Sequence, residues 1–178
     1  MGIAGVRTIY LAGGCFWGVE EMFRQIPGVV QTRVGYANGT GAEDATYARV
    51  CEGDTGFRET VEVTYDERRI GLRQILWAYF HIIDPTIEDR QGNDIGAQYQ
   101  TGIYWNASDT AFGEAIRDVV ADEQTRVEAE GKAFCVEVKE LSNFFGAEEY
   151  HQSYLIKNPG GYCHVSRAEM DEVLRAFA

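Results

Sequence analysis

Residues 7–28 read RTIYLAGGCFWGVEEMFRQIPG and decide how the fold begins. The first five residues, rich in apolar and β-branched side chains, predict a short strand. The glycine pair 13–14 predicts a tight turn, because glycine adopts backbone angles that other residues avoid. Over 15–26 the apolar side chains recur at helical spacing until a Pro-Gly pair ends the pattern. A strand, a turn and a helix therefore follow one another, with Cys15 in the first turn of the helix.

The hydrophobic pattern predicts further strands and helices along the rest of the chain. Strands are predicted at 29–36, 60–65, 98–105 and 133–140, and helices at 72–83, 109–130, 147–157 and about 167–177. Ser108 is the expected N-cap of the long helix, and Ser166 with Glu169 forms a capping box before the last one. Residues 38–58 and 86–97 are expected to be loops, the first with one helical turn.

This order of elements mixes hairpin-like and crossover connections. It predicts an α+β fold, a two-layer α/β sandwich around a mixed sheet with a ferredoxin-like βαββαβ-type core and an irregular C-terminal segment. The chain has 178 residues and no repeat or linker composition divides it, so we expect one domain over 1–178.

Charge and composition narrow the expected partners. The chain carries 16 basic and 28 acidic residues, a net charge of −12, which opposes a surface that neutralises phosphates, so nucleic acid is not expected. No basic segment precedes an apolar one at the start, and no stretch approaches the roughly 20 apolar residues that span a bilayer. We therefore expect a cytoplasmic monomer without membrane contact.

The four cysteines at 15, 51, 135 and 163 need an explanation. In a reducing compartment cysteines are free, metal-binding or catalytic more often than disulfide-bonded. No two are spaced closely enough to predict a zinc site, and Glu21 stands where a phosphatase pattern needs an arginine. Cys15 is the main candidate, because a helix start offers unpaired N–H groups that lower a thiol pKa. The alternative is a small buried apolar side chain.

The hexapeptide GGCFWG at 13–18 resembles the signature of the peptide-methionine sulfoxide reductase A family. Six further blocks resemble that family's in the same order: VGYANG (34–39), VCEGDTG (50–56), DPT (84–86), RQGNDIGAQY (90–99), AEEYHQSYL (147–155) and GYC (161–163). The resemblance covers about residues 8–164. It implies reduction of methionine S-sulfoxide, free or in proteins, without a bound cofactor and with thioredoxin or a similar dithiol protein as reductant.

The resemblance also implies three catalytic roles. Cys15 would attack the sulfoxide sulfur and become a sulfenic acid, the first rung of thiol oxidation. Glu59 would protonate the oxygen, which needs a carboxyl whose pKa is raised by burial. Cys163 would resolve the sulfenic acid as a Cys15–Cys163 disulfide that thioredoxin reduces. Apart from the resemblance, the position of His164 next to Cys163 leads us to expect that it assists formation of the Cys163 thiolate.

Five further residues match the family's substrate-binding positions. Phe16 and Trp17 would wall a pocket for the substrate methyl group, Tyr36 and Tyr99 would hydrogen-bond the sulfoxide oxygen, and Asp94 would orient the site. Each residue alone is more typical of packing, and an exposed residue at a strand end is the alternative for the acid, so these assignments depend on the resemblance.

The sequence departs from the family where TGFRE (55–59) replaces the usual TGHAE. Phe57 and Arg58 thus precede the acid, and we expect little effect of Arg58 because adjacent strand residues point to opposite faces. Cys51 is predicted to be structural and Tyr154 to lie near the resolving segment. Cys135 should share a partly exposed strand face with charged residues, where a regulatory role is a further hypothesis.

Two other functions compete with the reductase. A non-catalytic module that senses redox state or binds oxidised methionine would use the same pocket and thiol, and a general thiol peroxidase would consume peroxide. The carboxyl of Glu59 discriminates, because binding needs no proton donor whereas reduction of a sulfoxide does.

Overall fold

A curled mixed sheet with helices packed on it organises residues 4–178, which the computed structural model describes; residues 1–3 of the predicted domain lie outside the described residues. The strands are β1 (Val6–Ala12), β2 (Val29–Ala37), β3 (Arg58–Asp66), β4 (Arg90–Gln91), β5 (Asp94–Ile95), β6 (Gly102–Asn106), β7 (Glu137–Leu141) and β8 (Phe144–Gly146). The helices are α1 (Phe16–Arg24), α2 (Tyr47–Cys51), α3 (Leu72–Ile82), α4 (Thr110–Ala129), α5 (Tyr154–Lys157) and α6 (Arg167–Ala176).

The main sheet has the strand order β7-β6-β1-β3-β2-β8. Its pairs are antiparallel except β6 with β7, which is parallel, and β4 and β5 form a separate two-stranded ribbon. The inner order β6-β1-β3-β2, with α1 and α3 as the connecting helices, is the βαββαβ arrangement of a ferredoxin-like core. The predicted α+β fold is therefore confirmed, with one extra strand on each edge.

The core lies between one face of this sheet and the helices. Alternation along the strands sends Ile9 and Leu11 of β1 and Val61 and Val63 of β3 to that face, where all four are fully buried. They join apolar side chains of α1, α3 and α4 in one cluster. Tyr79 of α3 fixes the helix to the sheet, because its hydroxyl donates a hydrogen bond of 2.7 Å to the Ala12 carbonyl.

The C-terminal part of the prediction is wrong in detail. Instead of one helix over 147–157, the chain forms a 3₁₀ turn at Glu149–His151 and the four-residue α5. Ser153 breaks the pattern with a left-handed backbone, φ 52°, and its N–H donates to the buried Glu20 carboxylate at 2.6 Å. A contact to another element thus replaces a helical hydrogen bond, which no local pattern reveals.

Four other predictions also differ from the structure. Asp109, not Ser108, caps α4, because its carboxylate accepts the Phe112 N–H at 3.1 Å. The predicted strand 133–140 begins only at β7, since the Cys135 N–H donates to the Pro85 carbonyl and not to β6. The loop 86–97 contains the β4–β5 ribbon, and the predicted strand 98–105 is a 3₁₀ turn followed by β6.

None of the helices within residues 4–178 has the length and apolar character needed to cross a bilayer. Over the same residues, no group of three or more His, Cys, Asp or Glu side chains is arranged to hold a metal ion.

Candidate active site

The turn between β1 and α1 places Cys15 at the end of the sheet. Gly14 has a left-handed φ of 83°, and a side-chain carbon on Gly13 would lie 2.8 Å from Ile83, so glycine is required at both positions. Cys15 is the N-cap of α1, one position before the predicted first turn, and is 6% exposed. Its sulfur therefore sits over the helix start inside the protein.

The predicted lowering of the Cys15 pKa is wrong for this structure. Burial raises the pKa of the thiol well above its ordinary value, and the nearby carboxyl of Glu59 raises it further. A hydrogen bond from the Trp17 backbone acts in the opposite direction but is outweighed. Desolvation thus overcomes the effect of the helix start, and the resting cysteine is a neutral thiol.

Glu59 is a buried acid at the beginning of β3. The strand register pairs it with Tyr36 of β2, so both side chains face the core, and Glu59 is 1% exposed. The Phe16 N–H donates to its carboxyl at 3.2 Å, which ties the acid to the helix that follows Cys15. Burial raises the pKa of Glu59 to about 8, so the carboxyl is protonated at neutral pH. The alternative of an exposed residue at a strand end is wrong.

The two residues before the acid are held away from it. The Arg58 guanidinium pairs with Glu137 of β7 at 2.9 Å, on the opposite side of the strand, as predicted. Phe57 is buried, with its ring centroid 5.9 Å from that of Phe145 and 6.3 Å from that of Tyr36. This departure from the usual His-Ala pair therefore adds anchoring contacts and leaves the acid uncharged.

Two aromatic residues next to Cys15 form a wall. Phe16 is buried, and its ring centroid lies 5.8 Å from that of Tyr36. Trp17 is half-buried and stacks on Tyr154 with centroids 3.7 Å apart and the planes within 9°. Its indole N–H donates to Nδ1 of the fully buried His151 at 3.0 Å, which fixes the ring orientation. The wall is therefore rigid and lies beside the thiol.

The phenols near the acid are not all those that the sequence predicted. The Tyr36 hydroxyl donates to Glu148 at 2.8 Å. Burial raises the pKa of Tyr99, and Glu59 and Cys15 are close enough to raise it further. The same holds for Tyr47 of α2, which the sequence prediction missed. Its position just before VCEGDTG is the signal that could have found it.

Cys163, the predicted resolving cysteine, approaches α1 from the C-terminal segment, which we define as residues 147–165. A side-chain carbon on Gly18 would lie 3.0 Å from Cys163 Sγ, so that sulfur packs on the first turn of α1. The Tyr162 hydroxyl donates to Asp94 of β5 at 3.0 Å and ties this segment to the predicted orienting residue. Asp94 in turn lies close enough to raise the pKa of Glu59, although burial is the larger cause.

Neither of the remaining cysteines lies on α1, although Cys51 is within hydrogen-bonding reach of Tyr47. Cys51 is the last residue of α2 and is exposed. Its surroundings therefore do not indicate the structural packing role that the sequence predicted. Cys135 is half-buried before β7, and its thiol donates to the Thr86 carbonyl at 3.4 Å. The predicted alternation with charged residues on a strand face is wrong for Cys135, because the strand has not yet begun.

Comparison with known proteins agrees with the geometry. The sequence pattern of the family described as peptide methionine sulfoxide reductase matches residues 7–177. The peptide methionine sulfoxide reductase MsrA of Lachnoclostridium phytofermentans is 46% identical over 96% of this chain and 99% of its own. The crystal structure of reduced Mxr1 from Saccharomyces cerevisiae has a TM-score of 0.83 and 36% identity, covering 93% of both chains. Mxr1 in complex with Trx2 matches with a TM-score of 0.57 and 26% identity, over 86% of this chain and 87% of that one.

Proposed function

The chain belongs to the peptide methionine sulfoxide reductase family, and on that premise we propose that it reduces methionine S-sulfoxide to methionine with Cys15 as its nucleophile. It is an oxidoreductase, and its reaction depends on thiols. The observation that best supports these roles is the buried carboxyl of Glu59, protonated at neutral pH and bonded to the residue that follows the thiol.

The first step transfers oxygen from the substrate to Cys15. The sulfur of Cys15 attacks the sulfoxide sulfur while Glu59 donates its proton to the oxygen, and the proton of the thiol replaces it on the carboxyl. The protonated oxygen then moves from the methionine sulfur to the Cys15 sulfur. This leaves a sulfenic acid on Cys15, and methionine departs as the bond between the two sulfurs breaks. A thiol with a raised pKa gains from this coupling, because neither group has to carry a stable charge in the buried site.

Substrate recognition divides into an apolar and a polar part. The wall of Phe16 and Trp17 receives the methyl group of the sulfoxide, and its rigidity favours one epimer at sulfur. Tyr99 and Asp94 face the acid and hold the oxygen by hydrogen bonds. Tyr36 contributes its ring to the wall, since its hydroxyl is engaged by Glu148, and we add Tyr47 to the phenols around the oxygen.

The second step clears the sulfenic acid. The thiol of Cys163 attacks Cys15, giving a disulfide and water, and a dithiol protein such as thioredoxin then reduces that disulfide. The relative Mxr1 has been crystallised with Trx2, which supports this kind of partner. A cytoplasmic location and a monomeric state remain predictions. The cytoplasm suits a two-thiol enzyme because this compartment keeps cysteines reduced.

The competing functions predict different reactions with the same protein. A sensor or binding module needs no proton donor, so the burial of a neutral Glu59 would have no purpose in it. A thiol peroxidase would act on peroxide whether or not the methyl-binding wall is intact. The neutral, buried Glu59 therefore favours the reductase over the binding module, and the aromatic wall beside Cys15 favours it over the peroxidase.

A single-turnover experiment tests the proposal directly. Reduced protein is mixed with the S or the R epimer of methionine sulfoxide without reductant, and methionine and remaining thiols are counted per chain. We expect about one methionine and two thiols lost with the S epimer only. Binding of the sulfoxide without release of methionine would indicate the binding module. Consumption of added hydrogen peroxide by a protein that releases no methionine would indicate the peroxidase.

The Cys163→Ser variant separates the two steps. It should release about one methionine per chain but lose only one thiol, and it should not turn over with thioredoxin. Cys135→Ser is the matched control, because it removes a thiol that lies by the Thr86 carbonyl and touches neither the acid nor α1. Normal thioredoxin-driven turnover of Cys163→Ser would exclude Cys163 as the resolving residue.

A further inference from the structure

His164, next to Cys163, has one buried ring nitrogen for which the described residues provide no hydrogen-bond partner. Its Nε2 lies 2.8 Å from the Gly13 carbonyl, which can only accept, so Nε2 carries the hydrogen. Nδ1 is then the nitrogen with the lone pair. It is buried, and among residues 4–178 no hydrogen-bond partner faces it. A buried acceptor without a partner costs free energy and calls for a functional reason.

The lone pair and the resolving thiol share one small space. A side-chain carbon on Gly18 would lie 3.1 Å from His164 Nδ1 and 3.0 Å from Cys163 Sγ, so the two atoms are no more than about 6 Å apart. Gly18 also belongs to the first turn of α1, which begins after the N-cap Cys15. The nucleophile, the resolving thiol and the unpartnered nitrogen therefore meet at one helix start.

The resolving thiol needs a base. Burial raises the pKa of Cys163 above its ordinary value, and the thiol now donates to the Val165 carbonyl at 3.1 Å, which keeps it protonated. The charged groups that face the pair are Asp94 of β5 and Glu169 of α6 for the imidazole, and Glu21 of α1 with Glu169 for the thiol. These are carboxylates, which stabilise an imidazolium and oppose a thiolate.

We propose that Nδ1 of His164 accepts the proton of the Cys163 thiol when that thiol attacks the sulfenic acid on Cys15. This inference depends on the proposed function and assigns the base of its second step. The Cys163–Cys15 sulfur bond forms, the bond from Cys15 sulfur to its hydroxyl breaks, and the proton held on Nδ1 joins the departing hydroxide as water. The sulfenic sulfur is reduced and the thiol is oxidised, so no further reagent is needed.

His164→Gln tests the assignment, because its amide nitrogen can keep the hydrogen bond to Gly13 while the lone pair at Nδ1 is lost. In single turnover with the S epimer, methionine release reports the first step and loss of the second thiol reports the resolving step. We expect the resolving step to slow by roughly 10²-fold or more. Its rate in the variant should keep rising with pH as Cys163 itself ionises, whereas the wild-type rate should level off once His164 is neutral.

His164→Ala allows a test of rescue by added imidazole, which a purely structural role of His164 would not show. A surface cavity of about 290 Å³ borders Cys163, so added imidazole can reach the thiol. We expect imidazole to restore disulfide formation in this variant, and His81→Gln on the exposed face of α3 to behave as wild type. Wild-type rate and pH profile in His164→Gln would overturn the assignment, as would joint loss of both steps without rescue by imidazole. If wild-type protein itself releases no methionine, the proposed function fails, not this inference alone.

Discussion

The site joins two regions that are built in opposite ways: the nucleophile region, residues 6–66, and the C-terminal segment, 147–165. In the first, β1 pairs with β3 through seven residues and holds Cys15 and Glu59 at the same end of these central strands. In the second, regular structure is limited to one short helix and a 3₁₀ turn. Side-chain bonds hold it to the nucleophile region: Ser153 to Glu20, Gln152 to Val34 and His164 to Gly13.

This difference matches the two steps of the proposed reaction. Oxygen transfer needs atoms fixed to within a fraction of an ångström, which a paired sheet and a buried acid supply. Disulfide formation needs two sulfurs to come together and later to meet an external dithiol, which requires a segment that can leave its place. Changes in the nucleophile region should therefore abolish chemistry, and changes in the C-terminal segment should alter binding and recycling.

Among these changes, Cys15→Ser should have the largest effect on methionine release. A hydroxyl cannot take oxygen from a sulfoxide as the thiol does, so we expect no methionine above background with either epimer. Cys135→Ser is the matched control, since that thiol lies by the Thr86 carbonyl and not on α1. Both variants are assayed with excess dithiol. Residual turnover in Cys15→Ser would show that the chemistry is not confined to the nucleophile region.

Glu59→Gln should lower the rate of methionine release on the order of 10²- to 10⁴-fold while leaving sulfoxide binding in place. The amide keeps the shape of the acid and its bond from Phe16 but cannot give a proton. In the wild type, the rate should fall as pH rises through about 8, because the acid loses its proton there. The measurement is single-turnover methionine release across pH 6–10. A variant whose rate and pH profile match the wild type would remove Glu59 from the mechanism.

Glu59→Gln should also stabilise the folded protein. Its free energy of unfolding therefore measures how much stability the buried acid costs, independently of activity. Between the ordinary pKa of 4.5 and the raised value of about 8, the unfolded chain loses a proton that folded Glu59 keeps, so stability falls as pH rises through that interval. Gln has no such dependence. Relative to wild type, Glu59→Gln should gain roughly 3–5 kcal/mol between pH 4 and pH 9 in denaturant unfolding. A constant difference across pH would contradict a raised pKa.

The nucleophile region could be predicted from the sequence because its signals are local. Alternating strands, the glycine pair and the helical spacing after Cys15 specify the βα turn, and the structure confirms the strands and helix there within a few residues. The pKa of Cys15 could not be predicted from its place in the helix alone. It depends on burial and on Glu59, 44 positions away in the chain, which a reading of local sequence does not bring together.

The C-terminal segment could not be predicted from local sequence, unlike the nucleophile region. Its apolar spacing is typical of one helix, yet Ser153 adopts a left-handed conformation because Glu20 offers its N–H a buried acceptor. The family resemblance located Cys163, and the structure adds its contact with Gly18 and the unpartnered nitrogen of His164. Tyr47 lay next to a recognised block but had no periodic signal of its own.

Glu20 makes one of the contacts between the two regions, and its loss should have the smallest effect of these changes. The buried carboxylate accepts the Ser153 N–H at 2.6 Å and the Thr32 hydroxyl at 2.9 Å. Ser153 directly precedes Tyr154, which stacks on Trp17. Glu20→Ala removes the acceptor and leaves the Ser153 N–H without its buried partner, at a cost of about 1–3 kcal/mol. We expect the KM for the S epimer to rise several-fold, because the stack that supports the methyl-binding wall loosens.

The control for Glu20→Ala is Glu130→Ala at the end of α4, whose carboxylate pairs with Arg126 and Lys132 on the surface. Exposed pairs of this kind contribute about 0.2–1 kcal/mol, so this variant should keep the wild-type KM. Methionine released per chain should stay near one in both, since neither substitution touches the acid or the thiol. If Glu20→Ala instead lowered the single-turnover rate at saturating substrate as strongly as Glu59→Gln, the C-terminal segment would be part of the rigid chemical apparatus, and its division from the nucleophile region would be wrong.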